Sequence, residues 1–141
     1  MKLRVFTAFA AILAFAACGQ RTATTHHHAA GSQVITVTEE MLREGGSDTV
    51  RFGNLASGEV AVKRLTLKNA TATPIVIVNH DTGCDCTSLD YDHKPIMADG
   101  ETELTCTYNS TGTHGWQFKL VKVYLSGADT PLRIFVEADV K

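Results

Sequence analysis

The chain has 141 residues, of which 44% are hydrophobic and 20% are charged. These proportions are ordinary for globular proteins, and the length suits one domain with its own hydrophobic core. The formal net charge is −2, and no basic cluster follows the first few residues. We therefore expect no nucleic-acid partner, because binding to phosphates requires a concentration of Lys and Arg side chains.

The N-terminal residues have the features of an export signal. Lys2 and Arg4 precede the apolar run 5–17, which is too short to span a bilayer. The alanines before Cys18 resemble the lipobox of bacterial lipoproteins, in which the leader is removed and the cysteine is acylated. We predict a signal peptide at 1–17 and a lipidated Cys18 that anchors the protein to a membrane, with an ordinary secretory leader as the alternative.

The segment that follows is small and polar, and residues 18–33 are predicted to include the lipidated cysteine and a flexible tether. Nothing nearby fixes the geometry of the three histidines at 26–28, so we interpret them as solvated linker residues rather than a metal site. The tether lacks an acidic run of the kind that resembles a surface-export signal, which favours the outer membrane on the side facing the periplasm. Residues 34–48 are predicted to be a short β and turn lead-in, and residues 49–141 the folded domain.

The domain consists of short β-rich runs separated by turn residues. Leu104, Cys106 and Tyr108 alternate onto one face of a strand, whereas 75–78 is apolar on both faces, as in a central strand. In the run 59–69 the valines at the start and the leucines near the end differ in parity, which requires a bulge or a two-sided strand. About seven strands at regular spacing, without a long helix, predict an all-β fold, an immunoglobulin-like antiparallel β-sandwich.

A turn with two cysteines follows the most apolar of these runs. It reads Thr82-Gly83-Cys84-Asp85-Cys86-Thr87, and other short motifs surround it in a fixed order: Phe52-Gly53, Ser57-Gly58-Glu59, Leu65-x-Leu67-x-Asn69, Pro74-Ile75-Val76-Ile77, Pro95-Ile96, Asp99-Gly100 and Gly115. This order resembles a bacterial immunoglobulin-like domain family of unknown function whose hallmark is a Ser-Cys-Gly-Cys-Thr turn. The resemblance covers residues 50–140 and implies the same fold and a secreted or lipid-anchored protein, but no activity.

Three residues depart from the pattern of that family. Asp85 stands where a glycine separates the two cysteines, His80 where an apolar residue is usual, and Cys106 where Val or Ile is usual. The last two changes each add a candidate metal ligand. Cys84 and Cys86, with His80 or Cys106, are therefore a candidate metal site, and thiolate ligands favour Cu(I) or Zn(II).

The three cysteines of the domain cannot all pair with one another. In an oxidising compartment we expect one disulfide, with Cys106 bonded to Cys84 or Cys86 as the favoured pairing across the sandwich. Such a bond would close a loop of about 20 residues and stabilise the fold by about 3 kcal/mol. A bond between Cys84 and Cys86 is the alternative, and it would close a small, more easily reduced ring.

No pattern in the sequence predicts an enzyme. The C-x-C spacing differs from the C-x-x-C of thiol oxidoreductases, and there is no Gly-x-Ser-x-Gly, phosphate loop or metalloprotease helix. We predict a non-catalytic binding or scaffolding module of the cell envelope without a cofactor, with a Cu or Zn protein as the alternative. Its partner is an unknown protein or a glycan, reached through edge strands or the Cys-x-Cys turn. Trp116 is either a core residue, which we favour, or an exposed anchor of the binding surface.

Overall fold

The computed structural model describes residues 26–27 and 33–141. The predicted signal peptide, the predicted lipidation site Cys18 and most of the tether lie outside the described residues. The described part contains nine β-strands and one short helix: β1 (His26–His27), β2 (Gln33–Val37), α1 (Glu39–Glu44), β3 (Ser47–Leu55), β4 (Val60–Asn69), β5 (Ile77–Asp81), β6 (Thr87–Tyr91), β7 (Glu101–Asn109), β8 (Gly115–Leu125) and β9 (Leu132–Val140).

These strands form two packed β-sheets. In sheet A the strand order is β1-β4-β7-β6, and β2 also pairs with β4, while in sheet B the order is β3-β9-β8-β5. Strands β3 to β9 agree in number with the seven or so strands that the sequence predicts, and the immunoglobulin-like β-sandwich is confirmed, although both sheets are mixed rather than purely antiparallel. Most neighbouring strands are antiparallel, but β1 and β2 run parallel to β4, and β3 runs parallel to β9. His26 and His27, interpreted from the sequence as linker residues, therefore belong to a short strand, because their backbone pairs with Ala61 and Val62 of β4.

The core lies between the two sheets and follows the alternation of apolar residues. In β7, Leu104, Cys106 and Tyr108 are all fully buried, as their parity predicts. Each sheet contributes one buried face to the core. Removal of apolar surface from water stabilises the folded state by about 25 cal/mol per Å², and this is the main favourable contribution to the free energy of folding. In β9 the buried residues are Leu132, Ile134, Val136, Ala138 and Val140.

The stretch 34–48, expected as a lead-in, contributes to the same core. β2 places Ile35 and Val37 between the sheets, and α1 adds Leu42. The hydroxyl of Thr38 caps the first turn of α1, and the helix ends at the glycine pair that follows it. Across the described residues, no helix has the length and hydropathy that a membrane span requires.

Asn69, at the end of β4, joins separate loop segments. Its side chain is fully buried, and its Nδ2 donates to the backbone carbonyls of Thr73, Ile96 and Met97 at 2.9, 2.9 and 3.1 Å. Its Oδ1 accepts hydrogen bonds from the N–H and the hydroxyl of Thr71 at 2.9 and 2.7 Å. Because a buried amide is stabilising only when its hydrogen bonds are satisfied, this side chain fixes the β4–β5 connection against the loop before β7.

Candidate functional site

The two cysteines of the Cys-x-Cys turn form a disulfide bond with each other. Cys84 and Cys86 lie in the loop between β5 and β6, both half-buried, with an S–S distance of 2.04 Å. The hydroxyl of Thr87 lies 3.6 Å from Cys84 Sγ and 3.8 Å from Cys86 Sγ, and it is the donor because a disulfide carries no proton. The N–H of Asn109 donates to the carbonyl of Cys86 at 2.8 Å, which connects the turn to the end of β7.

Cys106 is a free thiol in the core, so the pairing favoured from the sequence does not form. In the register of β6 and β7, Cys106 lies opposite Leu89, which is three residues after Cys86. Three residues of a strand span about 10 Å, which exceeds the Cα separation that a disulfide bridges. Burial raises the pKa of the Cys106 thiol to about 12, so this sulfur is a neutral core group at neutral pH.

The candidate metal ligands His80, Cys84, Cys86 and Cys106 do not assemble into one site. In the part of the chain that the structure describes, no group of three or more His, Cys, Asp or Glu side chains is arranged to hold a metal ion. The sulfurs of Cys84 and Cys86 are bonded to each other, and His80 Nδ1 lies 3.2 Å from the hydroxyl of Tyr91. His80 is thus a half-buried strand residue with a hydrogen-bond partner, and the Cu or Zn alternative has no assembled ligand set among these residues.

Trp116 lies on the surface, so the expectation that it is a core residue is wrong. It is 66% exposed, and Phe118, two residues further along β8, is 45% exposed. The buried residues Val121, Val123 and Leu125 of β8 have the opposite parity. Trp116 and Phe118 therefore point away from the core, on the outer face of sheet B.

Three aromatic rings form a continuous stack on this outer face. The rings of Trp116 and Phe118 have centroids 5.4 Å apart and planes inclined by 16°. The rings of Phe118 and Phe135 have centroids 4.9 Å apart and planes inclined by 17°. We call these three residues the aromatic row. Stacking on Phe118 covers at most one face of the indole, and the Trp116 side chain remains 66% exposed.

A cleft of about 180 Å³ opens beside Trp116. Trp116 pairs with Asp139 on β9, and Asp139 pairs with Asn54 on β3, so these residues form one line across the outer face. The cleft thus combines an aromatic side chain with carboxylate, amide and guanidinium groups. Its lining includes Arg51, Gly53, Asn54, Trp116, Glu137 and Asp139.

A β-bulge and an ion pair shape one side of the cleft. The register between β3 and β9 shifts between Arg51 and Gly53, and Gly53 has a φ of 78°, a left-handed value that favours glycine. A Cβ added at Gly53 would meet no atom within 4 Å, so the space above it is open. The Nε of Arg51 lies 2.9 Å from Oε2 of Glu137, which holds these two charges together beside the cleft.

Strand alternation is the signal in the sequence that locates this face. Alternate apolar residues from Leu132 to Val140 define the buried side of β9 and leave Phe135 on the opposite side. The buried residues of β8 place Trp116 and Phe118 outside in the same way. The ion pair and the cleft depend on which strand lies beside β9, and alternation within one strand does not show that.

The strand arrangement defines the protein as an immunoglobulin-like β-sandwich, and several solved structures share this fold. A protein of unknown function from Porphyromonas gingivalis W83 is similar over 66% of this chain and 44% of its own, with 19% identity and a TM-score of 0.58. The secreted serine protease VesC from Vibrio cholerae is similar over 64% of this chain and 21% of its own, with 13% identity and a TM-score of 0.51. The PapD-like domain 7 of human CEP192 is similar over 66% of this chain and 80% of its own, with 11% identity and a TM-score of 0.51. At these identities the likeness shows the fold alone, and this chain spans less than half the length of the two bacterial proteins.

Residues 44–140 match the model of the family described as protein of unknown function, DUF1573. The chain therefore belongs to this family, in agreement with the family of unknown function that its sequence resembles. Among curated proteins, none matches the sequence. Because the family carries no assigned activity, a function has to be argued from the site itself.

Proposed function

We propose that this protein is a non-catalytic binding module of the cell envelope, anchored by a lipid on Cys18, which contacts its partner with the outer face of sheet B. The observation that carries the proposal is the aromatic row, in which Trp116 and Phe118 are exposed and Phe135 is half-buried, on a sandwich whose core does not include these rings. The cleft beside Trp116 lies at the end of this row and supplies polar groups for specificity.

The exposure of the aromatic row supports a binding role on energetic grounds. Apolar surface that stays in water forgoes about 25 cal/mol per Å² of stabilisation on folding. The same surface becomes favourable when a partner covers it, and Trp and Arg are over-represented among the residues that dominate binding energies. Trp116 and Arg51 both border the cleft. A contiguous exposed patch of this kind is a common mark of an interaction site.

The state of the cysteines supports a non-catalytic role. The Cys106 thiol is enclosed and neutral, because burial raises its pKa to about 12. The sulfurs of Cys84 and Cys86 share a bond and offer no thiolate. None of the three cysteines in the described part of the chain is therefore arranged as a nucleophile.

The proposed location rests on the N-terminal sequence. Lys2, Arg4 and the apolar run 5–17 supply the leader, and Cys18 supplies the acylation site. Residues 19–25, which are mostly polar, lie in the sequence between the proposed lipid and β1, so we propose that the aromatic row contacts a partner close to the outer membrane on its periplasmic side.

Site-specific photo-crosslinking in cells tests the binding face. A photoreactive phenylalanine analogue at Phe118 should yield a discrete adduct of higher mass, because this ring lies at the centre of the aromatic row. The matched control carries the same analogue at Val34, which is 53% exposed on β2 of sheet A. Equal adducts from both positions, or no adduct from Phe118, would overturn the proposed face.

The lipid anchor has a separate test. The native chain should incorporate a fatty-acid analogue and sediment with membranes, and Cys18→Ala should abolish the label. Cys106→Val is the control and should keep the label, because that thiol is enclosed in the core. Equal labelling of the Cys18→Ala variant would show that the anchor is elsewhere.

A further inference from the structure

We propose that the cleft beside Trp116 is a carbohydrate-binding site that takes one pyranose ring of a neutral glycan. This inference rests on the proposed binding function and names the chemistry of the partner. Four properties of the cleft support it: its size, its aromatic platform, its polar groups and its charge balance.

The size of the cleft suits a small ring. Its volume is about 180 Å³, whereas pockets for drug-sized molecules measure roughly 300–1,000 Å³. The space above Gly53 is open, since an added Cβ there would meet no atom within 4 Å. One ring of a polymer can therefore sit in the cleft while its neighbours extend along the outer face of sheet B.

Trp116 supplies a flat apolar platform. Phe118 covers one face of the indole with centroids 5.4 Å apart, yet the side chain is 66% exposed, so the other face is accessible. The stack continues to Phe135 and holds the indole in place before any ligand arrives, so little side-chain entropy is lost on binding. The face of a pyranose that carries C–H groups is apolar and fits against such a ring.

Planar polar groups border this platform. Asn54 and Asp139 occupy the same cross-strand row as Trp116. Glu137 lies in the adjacent row, where its Oε2 is 2.9 Å from Nε of Arg51. A carboxylate accepts hydrogen bonds at two oxygens and an amide both donates and accepts, which matches adjacent hydroxyl groups of a sugar. Within the described residues, the Asn54 side chain makes no hydrogen bond and is exposed, so its amide is free to bind.

The charge balance favours a neutral ligand. Arg51 pairs with Glu137, and Lys141 Nζ lies 3.3 Å from Asp139 Oδ2, so each carboxylate at the cleft has a cationic partner. A charged ligand would compete with these pairs, whereas a neutral polyol adds hydrogen bonds without breaking them. A protein partner is the other occupant of such a face, and the experiment separates the two.

Affinity is measured by NMR titration of the mature full chain in detergent, with cellohexaose, chitohexaose and mannohexaose as probes. A single pyranose unit has about twelve non-hydrogen atoms, and each contributes about −0.3 kcal/mol to the free energy of binding. We therefore expect a Kd on the order of a millimolar for at least one probe. Trp116→Ala should weaken that binding at least about tenfold. Trp116→Tyr keeps a flat ring and should retain most of it, and Val34→Ala on the other sheet should leave it unchanged.

The outcomes are distinct. Saturable binding with resonance shifts centred on residues 54 and 137–139, lost in Trp116→Ala but not in Val34→Ala, supports the glycan inference. The absence of saturable binding to all three probes overturns it, as does wild-type affinity in Trp116→Ala. If the photo-adduct from Phe118 then persists and contains a protein, the proposed function stands with a protein partner. If that adduct is also missing, the proposed function fails too.

The melting temperature of each variant should match that of the wild type, because Trp116 lies outside the core.

Discussion

The indole of Trp116 lies nearly parallel to the phenyl ring of Phe118, with centroids 5.4 Å apart, on the outside of the sandwich. Trp116 is also the single tryptophan of the sequence. Its fluorescence therefore reports on the outer face of sheet B without contributions from the core.

The first prediction concerns the environment of this tryptophan. In the native protein, Trp116 emission should lie close to that of tryptophan in water, because the side chain is 66% exposed. Acrylamide should quench the native and the urea-unfolded protein with similar efficiency. A blue-shifted native emission that resists quenching would instead place Trp116 in the core.

The second prediction concerns the disulfide. A ring of three residues constrains the unfolded chain only slightly, so Cys84→Ser/Cys86→Ser should lower the free energy of unfolding by about 1.6 kcal/mol, against about 3 kcal/mol for a cross-sandwich bond. Alkylation of the denatured, unreduced protein should modify Cys106 in the described part of the chain, and Cys106→Val should remove that label. Label on Cys84 or Cys86 in the wild type would contradict the pairing.

The third prediction is a pH dependence that originates at Cys106. Burial raises the pKa of its thiol from the ordinary 9.0 to about 12, so the folded state holds this proton more tightly than the unfolded state. The stabilisation is complete below pH 9 and decreases, by about 1.4 kcal/mol per pH unit, as the pH rises towards 12.

Denaturation of the wild type and of Cys106→Val, at a series of pH values from about 8 to about 11, measures this effect. Groups common to both proteins cancel in the difference between the two free energies of unfolding. That difference should change in favour of the variant as the pH rises. A constant difference would show that the thiol titrates in the folded protein as it does in the unfolded chain.

The fourth prediction concerns the buried amide of Asn69. Asn69→Ala leaves three backbone carbonyls and two Thr71 donors without this partner, so we expect a loss of about 3 kcal/mol in the free energy of unfolding. Asn69→Asp keeps the acceptor but turns a carboxylate towards the carbonyls, and it should destabilise at least as much. The exposed Asn79 on β5 is the control, since Asn79→Ala should stay within about 0.5 kcal/mol of the wild type. A loss that small for Asn69→Ala would contradict the assigned role.

Apolar alternation predicts much of the sandwich, but it leaves some strands ambiguous. In β4 the sequence pattern requires either a bulge or a strand with apolar residues on both faces. The structure shows a strand with apolar residues on both faces. β4 pairs with β7 without a register shift. Ala61 continues the buried parity of Leu65 and Leu67, while Val60 and Val62 are half-buried on the other side. The small alanine hides this parity because hydrophobic patterns give most weight to large side chains.

Strand order is the part of the fold that the sequence does not provide. The run 75–78 is expected to be a central strand, but β5 begins at Ile77 and lies at the edge of sheet B, with Val78 61% exposed. A short apolar run is consistent with burial yet does not show how many neighbours the strand has. The parallel pairing of β3 with β9 is unpredictable for the same reason, since partners come from distant parts of the chain.

Because strand order is not evident from the sequence, the candidate site could not be predicted from it either. Cysteines are conspicuous in a sequence because of their chemistry, but which of them pair depends on the register of β6 with β7. Trp116 and Arg51 are 65 positions apart in the sequence and meet at one cleft because β9 lies between their strands. Residue type and spacing alone do not bring such groups together.

Hydroxyl-radical footprinting of Trp116 tests directly whether the outer face of sheet B is a binding surface. The single tryptophan makes the oxidised product unambiguous. We expect rapid oxidation in the purified protein, where the indole is 66% exposed, and clear protection in the intact cell envelope, where a partner covers it. Val34 and Met97, exposed on other parts of the sandwich, should react equally in both preparations. Equal oxidation of Trp116 in the purified protein and in the envelope would show that no partner covers this face.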